Sequence, residues 1–361
     1  MIVRFGFVAM SVLLENASPS RTMTYANFTK LADREAALRK LERITEENLK
    51  NALRVLRHAA AHDIRMYRFS SKIIPLTTHE GLSDWDPYRN ADVREAFAKV
   101  GEFARDKHMR VSFHPDHFCV LNTPKPDVLQ SSIRDMNYHI RMLEAMGLDE
   151  RAKCNIHVGG SYGDKCVSGD RFVDQFGELD AKLRSRVTLE NDDKTFNTQE
   201  TLEIAERAGV PMVLDIHHHA VNDGGITEEQ LLGDLWPRIV QTWERENDRL
   251  ASTGQRDGEQ SDATVIPDEQ PAESELFLPP KIHASSPKST KDPRGHADHV
   301  DYEPLLRFLQ GAASSCKRLD VMLEAKRKDE ALMRLMEDFR SAEQRGEAVR
   351  VLDGATIVIP T

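Results

Sequence analysis

Apolar and β-branched residues fall in short runs, separated by longer stretches where apolar positions recur every three or four residues. Alternation of these two periods along most of the chain is the pattern of repeated βα units around a parallel sheet. Eight runs read as strands, at residues 3–9, 66–70, 109–113, 153–158, 187–190, 212–216, 280–284 and 320–324. Helical periodicity marks residues 45–62, with Leu49, Leu53 and Leu56 on one face, and residues 127–146, 197–208 and 227–246. The pattern predicts an α/β fold, a single closed (β/α)8 TIM barrel. Residues 247–275 are rich in Asp, Glu, Gln, Ser, Pro and Gly, nearly without large apolar side chains, and read as a disordered acidic insertion before the seventh strand. Past the eighth strand, residues 326–346 read as a charged helix and 348–360 as an apolar, β-prone tail. That divides the chain into a barrel at 1–329 and a C-terminal helix and tail at 330–361, with no internal repeat, coiled-coil heptads or second core.

Composition narrows the class. With 361 residues, 40% hydrophobic and 30% charged, the chain can bury a large core, which excludes collagen-like and wholly disordered readings. No run approaches the roughly 18–20 apolar residues of a membrane-spanning helix. Cys119, Cys154, Cys166 and Cys316 show no CxxC spacing, which argues for a reducing compartment without a disulfide framework. The alternating, β-branched opening reads as a first strand rather than a signal peptide. The formal charge of −10 looks wrong for a nucleic-acid-binding protein, but it is unevenly spread. Between Glu244 and Glu275, ten acidic residues face only Arg245, Arg249 and Arg256, a net of −7 that leaves −3 for the rest. Carboxylates that hold metal ions reverse the local field as well, so a DNA substrate is not excluded.

Ligand-type residues recur at the ends of the expected strands. They are His114 and His117 in FHPDHF, His157 in IHVGG, Glu190 in LEND, Asp215 and three histidines in DIHHH, Lys281 and His283 in KIH, and Glu324 in LEAK. In a (β/α)8 barrel these ends converge on one face, so the side chains should share a pocket. Taken singly, a histidine at a strand end is more often a hydrogen-bonded loop residue than a ligand, and Glu324 could be an ion-pair partner. Six successive strands offering His, His, Glu, Asp, His and Glu instead fit a multinuclear site for hard divalent ions, with carboxylates able to bridge two of them. Weaker signals fall away. GGSYGDK fails the phosphate-loop spacing at Asp164, DIHHH lacks the glutamate and spacing of a zinc-protease helix, and no nucleophile elbow or dinucleotide fingerprint occurs. Cys119 or Cys154 as nucleophile is a poor competitor beside the metal constellation.

At these residues the chain closely resembles the UV damage endonuclease family, and more distantly endonuclease IV and xylose isomerase-like barrels. The stretches that carry the resemblance are GFVAMSV…ENASPS, YRFSSKIIP, FHPDHF, IHVGGSYGDK, LENDD, LDIHHH, KIHASSP, GHADHVD and MLEAKRKD, from Gly6 to Asp329. The resemblance implies an ATP-independent DNA-repair hydrolase that cuts the phosphodiester on the 5′ side of pyrimidine dimers, 6-4 products and abasic sites. It implies up to three divalent ions, manganese first, with zinc, cobalt or magnesium as alternatives. Glu190 would bridge two ions, His114 and His157 would complete one shell, and Asp215, His283 and Glu324 the other. His218 and His296 would hold a third, although GHADH also offers His299 and HHH three candidates. Attack would come from water acidified by the metals. Glu190 and Lys281 are the expected catalytic residues, and the resemblance also raises carboxylation of Lys281.

Damaged nucleotides flip more cheaply than intact ones, which gives lesion selectivity without sequence reading. Arg68, Ser70, Ser71 and Lys72 of RFSSK, Lys288, Ser289, Thr290 and Lys291 of KSTK, and Lys165 are expected at the DNA backbone; Tyr25 and the loop at 16–20, including Asn16, are expected to line the lesion pocket. The resemblance places a duplex-probing pair at His117 and Phe118, where the family commonly has Gln and Tyr; a metal-ligand role for His117 and a loop-anchor role for Phe118 are the alternative. The expected partner is damaged double-stranded DNA, met by a monomer without membrane contact, cytoplasmic and nucleoid-associated in a bacterium or archaeon, or nuclear in a eukaryote. A sugar isomerase or epimerase on the same barrel is the alternative enzyme, disfavoured because His114, His157 and His218 together exceed what a two-ion isomerase needs. An idle damage-binding protein is disfavoured because no ligand position is lost.

Overall fold

The computed structural model describes residues 1–116, 118–258 and 277–360, without side chains for 254–258. Its strands are β1 (Ile2–Val8), β2 (Met66–Arg68), β3 (Arg110–Phe113), β4 (Lys153–His157), β5 (Val187–Glu190), β6 (Met212–Asp215), β7 (Lys281–Ala284), β8 (Pro287–Ser289), β9 (Asp292–His296), β10 (Arg318–Leu323), β11 (Arg350–Val351) and β12 (Thr356–Val358). From β1 to β7 each strand pairs in parallel with the next, and β10 pairs in parallel with both β7 and β1, which closes an eight-stranded barrel. β8 and β9 form a separate hairpin after β7. β2 pairs only with the upper end of β1, at Phe7 and Val8, and β12 runs antiparallel along the lower end, at Ile2 to Arg4.

The helices are α1 (Tyr25–Thr29), α2 (Arg34–Ala61), α3 (Ala91–Asp106), α4 (Pro126–Ala145), α5 (Lys165–Gly177), α6 (Ala181–Arg184), α7 (Thr198–Ala208), α8 (Ile216–Val221), α9 (Glu228–Gln230), α10 (Trp236–Gly258), α11 (Tyr302–Ala312) and α12 (Lys328–Gln344). The longer ones bury one stripe against the sheet, as with Val93, Phe97, Val100 and Ala104 of α3. α12 packs on β1, with Phe339 stacked on Phe5 at 5.6 Å.

The expected disordered insertion is corrected at its start. α10 runs through residues 247–258, because the Asn247 amide donates to the Leu278 carbonyl at 3.0 Å and accepts from its N–H at 2.8 Å. Arg249 adds bonds to Glu246 and to Glu150, the latter at 2.7 Å. Residues 259–275 of that expectation lie outside the described residues.

Charge fills the lower barrel. Buried Asp320 of β10 accepts from Arg4 at 2.8 Å and from Arg110 at 2.7 Å. A close approach between β1 and β2 explains Gly6: a Cβ there would lie 2.4 Å from the carbonyl oxygen of Met66. Gly6→Ala is expected to destabilise by about 1–3 kcal/mol, the usual cost of overpacking against atoms that cannot yield. A denaturant midpoint equal to the wild type's would contradict this contact.

Candidate metal centre

Strand register sets the site. Pairing of β4 with β5 puts His157 beside Glu190, and pairing of β6 with β7 puts Asp215 beside His283. His114 follows β3 and Glu324 follows β10. Two sets of ligand atoms result, each within 4.8 Å of one another: His114, His157 and Glu190, and Glu190, Asp215, His283 and Glu324. Glu190 is common to both. Its Oε2 faces His114 Nε2 at 3.2 Å, while Oε1 faces His283 Nδ1 at 3.0 Å. His283 Nδ1 is also 3.1 Å from Glu324 Oε1.

Polar neighbours orient these groups. Asn155, two residues before His157 on the same strand face, donates to Glu190 Oε2, and its own oxygen accepts from Thr188 at 2.8 Å. Asn191 brackets the backbone of Asp215, donating to its carbonyl and accepting from its N–H, both at 2.9 Å. Asp215 Oδ1 caps α8, accepting from the N–H groups of His217 and His218 at 2.8 Å each. Its Oδ2 is buried and without a hydrogen-bond partner.

Burial raises the Asp215 carboxyl to about 6 against the attraction of His218 and His283, with repulsion from Glu190 and Glu324 adding to the rise. Burial also opposes ionisation of Glu190 and Glu324, yet His283 and His157 hold the first well below the usual carboxylate range, and Arg68 and His283 the second. Burial disfavours charge on His218, but Asp215 and Glu190 lift it to about 9. Imidazoles and carboxylates converge, and buried Asp215 Oδ2 makes no hydrogen bond, with His218 Nδ1 3.8 Å away; that donor set fits hard divalent cations.

The structure sorts the ambiguous histidines. His218 turns its Nδ1 to the Asn191 carbonyl at 2.9 Å and so faces the site. His219 turns away to Thr198, also at 2.9 Å, while His217 is buried 5.4 Å from the His296 ring. His296 bonds the Glu324 carbonyl at 2.7 Å; His299 faces Glu330. His218 and His296 are 6.4 Å apart between ring centres, and among the described residues neither belongs to a set of three ligands.

Lys281 and His283 share a strand face, as the alternation predicts. Burial, aided by Arg110 and Arg68, pushes the Lys281 ammonium down to about 7, and it donates to Ser112 at 3.2 Å. Arg68 is not at the surface: its guanidinium bonds Glu324. Ser70 is buried and accepts from Ser20 at 2.7 Å. Phe118 is 74% exposed on the loop after β3, and His117 lies outside the described residues. Tyr25 stacks on His79 at 3.9 Å, and exposed Asn16 has a left-handed backbone with its carbonyl held by Arg54. Lys165 and Lys288 are exposed, paired with Glu200 and Asp292.

Sequence reasoning missed Asn155 and Asn191, which orient the ligands. Tyr162 is half exposed on the loop after β4, which Asn122 ties to the preceding loop through the Gly160 carbonyl at 2.7 Å. The signal for Asn155 was its place two residues before a ligand on the same strand face.

A family model described as UV-endonuclease UvdE matches residues 3–271 and 259–351. The chain is 40% identical over 341 residues to the UV DNA damage endonuclease of Bacillus pumilus (strain SAFR-032), covering 94% of each chain. It is 39% identical over 339 residues to the enzyme of the same name from Halalkalibacterium halodurans, again over 94% of each. In fold it matches the solved structure of SacUVDE with a TM-score of 0.72 at 24% identity, over 96% of this chain and 99% of that one. Endonuclease IV from Thermus thermophilus matches with a TM-score of 0.51 at 12% identity, over 95% and 99%. The chain belongs to the UV-endonuclease UvdE family.

Proposed function

We propose that this protein is a metal-dependent UV damage endonuclease that hydrolyses the DNA backbone on the 5′ side of pyrimidine dimers, 6-4 products and abasic sites, without ATP. The observation that carries the reading is the pair of ligand clusters joined through Glu190. His114, His157 and Glu190 would hold one divalent ion, manganese by preference, and Glu190, Asp215, His283 and Glu324 a second. His218 and His296 offer two donors toward a third. Such ions supply Lewis acidity to phosphate oxygens and lower the pKa of water. The chain's own residues orient the site. Asn155 fixes the Glu190 carboxylate, Asp215 presents His218 from the start of α8, and buried Lys281 supplies a proton-exchanging group beside His283.

Substrate is read by shape. The exposed Phe118 ring fits the gap left when a damaged dinucleotide leaves the stack, with His117 beside it in sequence, while Asn16 and Tyr25 line the approach. Lys165 and Lys288 suit phosphate contact, while Ser70 braces the loop after β2 through Ser20 and the Lys72 N–H. Phe118→Ala is expected to weaken binding to dimer-containing duplex by about 1–3 kcal/mol per stacked base, with metal content unchanged. Equal affinity for damaged duplex in that variant would remove the wedge role.

The deciding experiment is nicking of untreated, ultraviolet-irradiated and abasic plasmid with Mn2+ or with chelator. Irradiated and abasic plasmid should be nicked only with metal present. Metal-dependent interconversion of sugars, with no nicking of damaged plasmid, would favour an isomerase instead.

A further inference from the structure

Arg68 is the last residue of β2, and the cationic RFSSK segment to which it belongs suggests a phosphate contact. Its placement points elsewhere. The guanidinium is 14% exposed and Nη1 donates to Glu324 Oε1, itself part of a side chain only 12% exposed. That same oxygen faces His283 Nδ1 at 3.1 Å, so Arg68 grips the oxygen that looks into the second cluster. The other oxygen has a weaker neighbour, His296 Nδ1 at 3.8 Å, whose short bond goes to the Glu324 backbone carbonyl instead. The Glu324 backbone is fixed by its N–H on the Ala284 carbonyl at 2.9 Å, and of the groups on the carboxylate Arg68 makes the shortest contact, His283 being itself a member of the cluster.

We infer that Arg68 is a positioning residue for the second cluster, holding Glu324 Oε1 toward Glu190, Asp215 and His283 and staying there when a divalent ion is bound. The inference rests on the metal reading of that cluster. A carboxylate oxygen has two acceptor directions, so one can serve the guanidinium while the other serves a cation. A guanidinium suits this because it stays charged at any working pH and cannot itself become a ligand. The three carboxylates of the cluster also repel one another, and the charge of Arg68 offsets part of that repulsion without occupying the metal position.

The test is titration with Mn2+, followed by calorimetry and by electron paramagnetic resonance, on the full chain. Arg68→Met is expected to lower Mn2+ affinity roughly 10–100-fold, the usual cost of losing a partner that orients a metal ligand. Arg68→Lys should recover most of it by returning a cation to the same oxygen. In a Glu324→Gln background, Arg68→Met should add no further loss, because the two residues act as one unit. Wild-type Mn2+ affinity in Arg68→Met together with weaker binding to undamaged duplex would make Arg68 a DNA contact and overturn the positioning role. A fully additive loss in the double variant would overturn it too. If Arg68→Met does not fold, the same cycle with Arg68→Gln, which also removes the cation, decides. A wild-type protein that takes up no Mn2+ overturns the metal reading, and the positioning role with it; that outcome is distinct from normal uptake insensitive to Arg68.

Discussion

Glu190→Gln should abolish incision of irradiated plasmid, by roughly 10³-fold or more, if bridged divalent ions contribute several kcal/mol to the transition state. The two carboxylate oxygens serve different clusters, Oε2 toward His114 and Oε1 toward His283. A glutamine has one acceptor oxygen to place. Asn155 donates to the Oε2 position while accepting from Thr188, so a glutamine oxygen on that side keeps both bonds, whereas an NH2 there would require the Asn155 amide to turn over. The arrangement that disturbs least puts the glutamine oxygen on the Oε2 side and NH2 toward His283 and His218. Metal analysis should show the loss falling on the second cluster, with the first weakened but present. Folding should survive, because glutamine keeps the size of the side chain and an acceptor for Asn155, although the attraction to His283 and His157 is lost. Undiminished nicking by a folded, metal-loaded Glu190→Gln protein would end the assignment.

Much of this site is visible before any coordinates, for a physical reason. Parallel barrel strands are buried on both faces and read as short apolar runs, so a polar residue at the end of such a run stands out, and the fold sends all such ends to one face. Glu190, Asp215, His283 and Glu324 are found that way. The same logic fails where charge is an ambiguous signal. Arg68 looks like a phosphate contact in sequence because nothing local says that its carboxylate partner comes from the opposite end of the chain. The three histidines of DIHHH cannot be ranked in sequence either. A helix begins at Ile216, and its turn of about 100° per residue sends His217, His218 and His219 in different directions. In the fold, α3 was not identified because its four buried apolar positions are diluted by Asp, Arg, Glu and Lys. The end of α10 is not legible because composition turns polar at Asn247, whereas the helix continues with Asn247 bonded to the Leu278 backbone and Arg249 to Glu246 and Glu150.

Asp215→Asn and Asp215→Ala should separate function from stability at one residue. Oδ1 has a structural task, capping α8 through the N–H groups of His217 and His218, and Oδ2 has none in the protein alone. A buried carboxylate with an unpartnered oxygen is costly, which is why burial raises its carboxyl to about 6. Asparagine keeps the accepting oxygen at the cap and replaces the free oxygen with an NH2 that cannot bind a cation. Metal-free Asp215→Asn should therefore unfold at the same temperature as metal-free wild type or above it at neutral pH, while incision falls on the order of 10³-fold, with removal of the second cluster's ion. Asp215→Ala should lose incision to the same degree and also about 1 kcal/mol of stability, the cost of an unfilled helix cap. The difference between the variants is the cap, and their shared loss is the metal. Thermal unfolding in chelator, read beside Mn2+ titration, checks both. An Asp215→Asn protein that binds the full complement of Mn2+ and nicks normally would show that the orphaned oxygen is not there for a cation, and would remove Asp215 from the second cluster.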